Sequence, residues 1–345
     1  MTKVYMLHPM TNDIDSFFRF LRLPFIQGCV WDKDNPDILF ASEWIYYKYK
    51  YYEDFRSLYN KVKLRVIFLS EAIEPDWNLF DYAIGFNNLL KYEERFIRIL
   101  SPIDMYHGFI NASVNDIDTI DKAKILLKSK SKFCNFLYSN PHAHPMRDRL
   151  FYILSNYKRV DSLGMHLNNV EVKGTGYEGH REECINLKSP YKFSIAAENA
   201  VYQGYTSEKI FTSLEAHTIP IYFGNPDIVE DVNPDSFINV NNFDSLDSLV
   251  EYIKMIDEDD NLWCKMISAA WLTPQQINQH KQRTLEYQTK MNRLLTDTIS
   301  PRIAIGYHVG NYRKHVLEGN FVFEKYNNWW YRLLRTIYHR LKCKR

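Results

Sequence analysis

The chain has 345 residues, of which 46% are hydrophobic and 25% charged, a balance typical of folded proteins and not of disordered ones. The formal net charge of +1 argues against a protein that binds nucleic acid through an overall basic surface. The length exceeds that of most single domains, so we expect two domains, each with its own core.

The first third of the chain predicts short buried strands separated by helical or polar segments. A Tyr-rich, charged stretch at 43–60 predicts a helix between the first two strands. Strands end near Ser70-Glu71 and Gly85, and parallel sheets bind ligands at the carboxyl ends of their strands, so this edge is a candidate site. The apolar runs of strand length are 37–41, 66–70 and 82–86.

A polar passage at 111–132 follows and predicts the boundary between the two domains. It contains a short helical core at 120–127. Later in the chain, Asp244 is the expected cap of a helix whose buried stripe ends at Ile256. The predicted strands of this half are 133–138, 193–197, 219–223 and 237–240.

The stretch 191–224 predicts a strand, a helix and a second strand, which is a βαβ unit. Thr206 or Ser207 is placed to cap the helix, and Gly204 allows a tight turn before it. The N-terminus of such a helix offers free N–H groups and partial positive charge to an anion, and Lys209 adds a full charge. A capped amphipathic helix follows a strand in every α/β protein, so this pattern alone does not establish a phosphate site.

The last 21 residues, 325–345, contain seven Lys and Arg residues and no acidic residue, interleaved with aromatic and aliphatic side chains. This pattern predicts a basic amphipathic helix. Such a helix can lie on an anionic membrane, pack on the protein body or remain solvated. The adjacent Trp329 and Trp330 favour the membrane surface.

Several features argue against other sites and locations. The five cysteines form no CxxC pair, so neither a disulfide framework nor a zinc site is predicted. His142 and His144 lie between prolines, and the acidic run 257–260 is expected to be a solvated loop after a helix, so no metal site is expected. No apolar run of 18 residues and no N-terminal apolar leader segment occurs, which predicts a cytoplasmic location.

The exact residues of three segments in the βαβ unit are more informative than its strand-helix-strand pattern. Residues 197–199 read Ala-Glu-Asn, 205–209 read Tyr-Thr-Ser-Glu-Lys and 217–221 read His-Thr-Ile-Pro-Ile. Together they resemble the donor-binding signature of the bacterial α-1,3/1,4-fucosyltransferases. The departures are Ala197, where that family usually has Phe, and Ser207, where it has Thr. Further blocks that resemble the family occur upstream in the same order, so the resemblance spans about 37–256.

The resemblance implies a fold and a domain order. The fold is α/β of the GT-B type, with two Rossmann-like domains that face one another across a cleft, followed by the C-terminal basic amphipathic helix. Residues 1–125 would form the acceptor-side domain and 126–300 the domain that binds GDP-L-fucose. Residues 301–345 would form a C-terminal helical segment and the basic tail.

The resemblance also implies roles for residues on the donor side. Lys209 and Arg147 map onto the pair that neutralises the departing diphosphate, so no metal or other cofactor is required. Glu208 would contact fucose and stabilise the positive charge that develops at its anomeric carbon. The two residues expected to hold ribose, phosphate or sugar are Asn199 and Tyr205. Glu198 is expected to accept backbone N–H groups near the loop.

Glu71 is the expected general base, because it follows a strand and matches the glutamate proposed as base in similar bacterial enzymes. Glu74, Asp76 and Asp81 lie near it in sequence and leave that assignment open. Direct attack by the acceptor hydroxyl would invert the anomeric centre.

The implied function is transfer of L-fucose from GDP-L-fucose to GlcNAc of an N-acetyllactosamine-like glycan in α-1,3 linkage. The glycan would belong to lipopolysaccharide or capsule, and the enzyme would work at the inner face of the membrane. Two alternatives stay open. One is a transferase of the same fold that uses another nucleotide sugar, and the other is a catalytically silent protein that binds glycans or a membrane surface. No nucleic-acid partner is expected.

Overall fold

The computed structural model describes residues 1–99, 115–171, 181–296, 300–304 and 307–318. The chain divides into two compact units. The first comprises Met1–Gly85, Tyr92–Ile97 and the described residues from Gln288 onward, and the second comprises Phe86–Lys91 and the described residues of Arg98–Tyr287. In these described ranges, no helix is both long and apolar enough to cross a bilayer. The predicted helix at 325–345 lies outside them.

The first unit is built on a six-stranded sheet in the order β2-β1-β3-β4-β5-β6. The pairs β1–β2, β1–β3, β3–β4 and β4–β5 are parallel. Every residue of β3, β4 and β5 is buried, which is the pattern of strands covered on both faces. The strands are β1 Thr2–Leu7, β2 Cys29–Trp31, β3 Ile38–Ser42, β4 Leu64–Phe68, β5 Tyr82–Gly85 and β6 Phe96–Arg98. The first helices are α1 Ile14–Phe20, α2 Trp44–Tyr47 and α3 Tyr49–Leu58.

The second unit is built on a five-stranded sheet in the order β11-β10-β9-β7-β8, with four parallel pairs. Its strands are β7 Lys132–Phe136, β8 Val160–Ser162, β9 Tyr191–Ala197, β10 Ile219–Phe223 and β11 Ile238–Asn239. The helices that follow α3 in the chain are α4 Ile120–Leu127, α5 Met146–Tyr157, α6 Arg181–Lys188, α7 Glu208–Glu215, α8 Leu246–Glu258, α9 Asp260–Ile267, α10 Pro274–Thr296 and α11 Tyr307–Glu318.

Both sheets have the same strand order over their first five strands, with the first strand between the second and the third. In such a sheet the connections run in opposite directions from the first strand, and ligands bind where the first and third strands end side by side. In the second unit this point lies at the ends of β7 and β9. The core beneath it includes Phe193 and Trp263, both without exposed surface, and each such side chain contributes roughly 1.5–3 kcal/mol through burial.

The predicted parallel α/β class is confirmed, and each predicted strand region contains a strand, with end shifts of one or two residues in most of them. Three local predictions are wrong. The helix expected at 43–60 is two helices that meet at Lys48, and the cap after β11 is Ser245, which shares a capping box with Ser248, instead of Asp244. The prediction of a solvated acidic run is wrong at Asp257, which is buried in the last turn of α8 and pairs with Lys158 and Lys192, whereas 258–260 are exposed.

Candidate active site

The topology of the second sheet brings two chain segments with charged residues to one place. Arg147 lies in the first turn of α5, the helix after β7. Glu198 and Asn199 follow β9 directly, and β9 is the parallel neighbour of β7. These residues therefore lie at the sheet position where ligands bind in folds of this strand order.

Arg147 is a buried cation, 1% exposed, held by the segment after β9. One of its terminal nitrogens, Nη2, donates to the Ala197 carbonyl at 3.0 Å and to Asn199 Oδ1 at 2.6 Å. The guanidinium lies 4.0 Å from the centre of the Tyr138 ring, a cation–π contact. Its Nε is buried and has no hydrogen-bond partner among the described residues. A buried donor without an acceptor costs roughly 1–3 kcal/mol, so an anion at this nitrogen would relieve a real cost.

The side chain of Glu198 holds the residue that caps α7. Its carboxylate has no exposed surface and accepts the Ser207 N–H at 2.7 Å and the Ser207 hydroxyl at 2.6 Å. Ser207 is the residue that caps α7. Burial raises the pKa of Glu198, and the charge of Lys209, 3.3 Å away, opposes that rise. This placement agrees with a carboxylate that shapes the loop.

Lys209 and Glu208 form a charged pair in the first turn of α7. Lys209 Nζ lies 2.8 Å from Ser207 Oγ and 3.3 Å from Glu208 Oε1. Burial alone would lower the pKa of Lys209, but Glu208 and Glu198 outweigh it and raise that pKa. Burial would likewise raise the pKa of Glu208, but the lysine charge and local hydrogen bonds outweigh it and lower that pKa. Both groups are therefore charged at neutral pH, and Lys209 presents a fixed cation.

The loop between β9 and α7 carries the remaining donor-side candidates. Asn199 holds Arg147 through its side chain, and its carbonyl accepts the His144 N–H at 2.8 Å. Tyr205 is buried, and its ring meets the ring of Phe86 edge-on with 5.3 Å between centroids. The structure therefore places Tyr205 inside the loop, where it supports the backbone.

Glu71, the candidate base, belongs to the first unit and is the third residue after β4. It is partly buried, and its carbonyl accepts the Ile73 N–H at 2.8 Å. The residue before it, Ser70, donates both its N–H and its hydroxyl to the carboxylate of Glu43.

Glu43 is a second carboxylate beside the candidate base, and it is not among the residues predicted from the sequence. It follows β3 directly, is 4% exposed, and has a raised pKa, chiefly because of burial and further because of the charge of Glu71. The sequence feature that indicates Glu43 is a carboxylate directly after an apolar run of strand length. Glu43 also begins the stretch 43–60 that was predicted to be a helix, so this feature was not recognised.

Two clusters considered for metal binding have other roles in the structure. His144 accepts the Met146 N–H on its Nδ1 and so supports the start of α5. Asp259 caps α9 by accepting the N–H groups of Asn261 and Leu262. Across the described ranges, no group of three or more His, Cys, Asp or Glu side chains is arranged to hold a metal ion.

Residues 127–298 match the model of glycosyltransferase family 10 (fucosyltransferase), C-terminal domain. The α-(1,3)-fucosyltransferase FucT of Helicobacter pylori is 32% identical over 230 residues, which cover 59% of this chain and 46% of that protein. An α-(1,4)-fucosyltransferase of Arabidopsis thaliana is 31% identical over 136 residues, which cover 35% of this chain and 34% of that protein. The chain thus spans less than half the length of these curated relatives.

Solved structures extend the likeness over most of the chain. A crystal structure of α1,3-fucosyltransferase with GDP is 23% identical, with a TM-score of 0.66, and the match covers 88% of this chain and 93% of that one. A crystal structure of α1,3-fucosyltransferase with GDP-fucose is 25% identical, with a TM-score of 0.64, and the match covers 87% and 92%. These matches confirm the predicted GT-B class and the predicted resemblance to fucosyltransferases.

Proposed function

This chain belongs to glycosyltransferase family 10, the fucosyltransferases, and we propose that it is an inverting enzyme that moves L-fucose from GDP-L-fucose to GlcNAc of a lactosamine-type glycan in α-1,3 linkage. One observation carries the proposal. Arg147, with an unpartnered buried donor, and Lys209 lie with Glu198 and Asn199 around the N-terminus of α7. The named relatives that act on fucose and the related structure that contains GDP-fucose support this donor.

On the donor side, charge stabilisation is the main task. The bond between the fucose anomeric carbon and the phosphate oxygen breaks with its electron pair on GDP. Arg147 and Lys209, with the N–H groups of the first turn of α7, stabilise that charge without a metal. Glu208 stabilises the positive charge on the sugar, and Asn199 holds the donor on the loop that Tyr205 supports.

On the acceptor side, Glu71 takes the proton of the attacking hydroxyl while its oxygen bonds to the anomeric carbon. Attack from the face opposite the phosphate converts a β-linked donor into an α-linked product, and no covalent enzyme intermediate forms. Glu43 holds the turn at Ser70, so it acts on Glu71 through the backbone.

The proposal is tested by GDP release from GDP-fucose and N-acetyllactosamine without added metal. We expect release by the wild type, a loss of about 10²- to 10⁴-fold in Glu71→Gln, and normal release by Glu74→Gln, which removes an exposed carboxylate three residues away. A loss confined to Glu74→Gln would move the base to that residue. Stabilisation against heat by a different nucleotide sugar, with none by GDP-fucose, would overturn the donor.

We also propose that the glycan is part of lipopolysaccharide or capsule and that the basic tail, 325–345, holds the enzyme at the inner face of the membrane. The composition of the tail supports this, because basic residues attract anionic lipids and tryptophans favour the interface. Sedimentation with phosphatidylglycerol vesicles should retain the full chain and lose a variant that lacks 325–345. Equal retention of both would contradict the membrane role of the tail.

A further inference from the structure

The chain segment Phe86–Lys91 belongs to the second unit, although the strand that it follows, β5, belongs to the first sheet. Within the second unit it packs against the loop 199–206, which connects β9 to α7 and carries Asn199 and Tyr205. None of the roles proposed above uses this segment.

Hydrogen bonds join the segment to the loop at two consecutive positions. Asn87 Nδ2 donates to the Tyr202 hydroxyl at 2.7 Å, and the Asn88 N–H donates to the Gln203 carbonyl at 3.2 Å. The ring of Phe86 adds the edge-on contact with Tyr205. The loop is thus held by a side-chain hydrogen bond, a backbone hydrogen bond and a ring contact, each to a different one of three residues.

Gly204 shows how close the two segments lie. A Cβ at this position would lie 2.2 Å from the Phe86 carbonyl oxygen and 3.0 Å from the Asn88 nitrogen. Its φ of +83° also lies in the region that L side chains rarely adopt. Gly204 donates its N–H to Asn225 Oδ1 at 2.7 Å, which fixes the backbone from the other side.

The two asparagines are themselves fixed. Asn87 is 4% exposed, and its Oδ1 accepts the Leu89 N–H at 2.9 Å, so its amide is oriented with Nδ2 toward Tyr202. Asn88 is also buried, and its Nδ2 donates to Asp227 at 2.9 Å and to Glu230 at 3.2 Å. The segment is therefore anchored in the second unit through Asn88 as well as through its contacts with the loop.

We propose that Asn87 is a positioning residue that acts through Tyr202, and that Phe86–Lys91 holds the loop 199–206 ready to bind a nucleoside diphosphate. A loop ordered before the ligand arrives loses less conformational entropy on binding. This inference rests on the proposed function, because it assumes that the site between β9 and α7 takes the GDP part of the donor.

The first test is a double-mutant cycle on the hydrogen bond, with GDP affinity measured by calorimetry and folding stability measured in parallel. Asn87→Ala and Tyr202→Phe should each weaken GDP binding about fivefold, the effect of one hydrogen bond. The double variant should bind no more weakly than either single one, because both remove the same contact. Additive losses, or losses of stability with GDP affinity unchanged, would overturn the proposal.

The second test compares two glycines with similar backbones. Gly204→Ala should weaken GDP binding more than tenfold, because the new Cβ would clash with the Phe86 carbonyl oxygen and displace the loop from the segment Phe86–Lys91. Gly28→Ala is the control, since Gly28 has a φ of +92° but a Cβ there would meet nothing within 4 Å. Equal affinity in the two variants would contradict the inference.

The outcomes separate this inference from the proposed function. If the wild type does not bind GDP, the donor assignment falls and this inference falls with it. If the wild type binds GDP and Asn87→Ala binds it equally well, only the positioning role is overturned. The Asn87 variants keep the test decisive even if Gly204→Ala does not fold.

Discussion

The buried carboxylate of Glu198 binds two neighbouring residues, Ser207 and Lys209. It accepts two hydrogen bonds from Ser207 and lies 3.3 Å from Lys209. Gly224 passes beside it so closely that a Cβ there would lie 2.4 Å from Glu198 Cγ. Glu198 thus joins the end of β9 to the start of α7 through its carboxylate and to the end of β10 through its N–H, which donates to the Phe223 carbonyl at 2.7 Å.

Replacing Glu198 by Ala should lower the free energy of unfolding by about 2–4 kcal/mol, because the buried N–H and hydroxyl of Ser207 both lose their acceptor, while Lys209 keeps Glu208. Urea denaturation measures the change. The control is Asp118→Ala, which breaks an exposed pair with Lys122 and should cost less than about 1 kcal/mol. Equal losses in the two variants would show that the Ser207 N–H and hydroxyl find another acceptor.

The site residues divide according to the distance over which their contacts act. Glu198 and Lys209 are recognisable from sequence because their partner, Ser207, lies within the same short motif. Glu43 and Asn87 are not, since their partners are 27 and 115 residues away. A short sequence motif indicates contacts between residues that are near one another in the chain. Contacts between residues far apart in the chain are seen only in the folded structure.

At the scale of elements, α7 is held by a buried lysine on α6. Lys188 Nζ donates to Thr212 Oγ1 at 2.8 Å and to Ser213 Oγ at 3.1 Å. Ser213 continues the chain of hydrogen bonds to Ser194 on β9, which donates to Asn135 on β7. This buried polar chain runs from helix to helix to sheet, beneath the turn that carries Glu208 and Lys209.

We expect the stability of the folded protein to depend on pH through Lys188. Burial lowers its pKa to about 8 from 10.5, although Cys184 and Glu208 oppose the shift. Between these pH values the unfolded chain binds the proton and the folded protein does not, so the stability contribution of Lys188 rises with pH by roughly 3 kcal/mol. Below pH 8 both states are protonated and the contribution is constant.

The measurement is urea denaturation of the wild type and Lys188→Met at pH 7.5, 9 and 10. The stability of the wild type should rise relative to the variant as pH increases. Lys265→Met, which removes an exposed lysine on α9, is the control and should show no such trend. A constant difference for Lys188→Met would mean that the ammonium is not desolvated in the folded protein.

Elements with strong local signals were predictable. The strand at Ile219–Phe223 was predicted with the observed bounds, and Ser207 was one of two predicted caps for α7. The cap of α8 was misplaced by one residue because Asp244 and Ser245 both suit that role, and the side-chain geometry selects Ser245. No Gly or Pro marks the break at Lys48, so the sequence carried no signal for two helices there.

At the scale of the whole molecule, the sequence predicted two α/β domains but not how the chain is shared between the two units. Apolar runs of strand length and a polar boundary between domains are patterns of residues that are adjacent in the sequence, so they can be recognised without the structure. Phe86–Lys91 belongs to the second unit, and the described residues from Gln288 onward belong to the first. Both assignments depend on contacts between segments that are distant in the sequence.

The two sheets share no strand, so a ligand of one unit should stabilise that unit more than the other. GDP at 100 times its Kd should stabilise the second unit by about 2.7 kcal/mol. Hydrogen exchange with mass spectrometry should show this as slower exchange in peptides from β7 and β9 and little change in β1 and β3. Peptides that contain Asn87 should gain protection with β9, because the segment Phe86–Lys91 is anchored in the second unit.

UDP at the same concentration is the control for this experiment, and it should slow exchange in neither sheet if guanine is recognised. Equal protection of both sheets by GDP would show that the molecule unfolds as one cooperative body. Protection of β7 and β9 without protection around Asn87 would show that the segment opens separately from the loop it contacts. Because the three results differ in which peptides change, one experiment tests both the donor site and the grouping of the chain into two units.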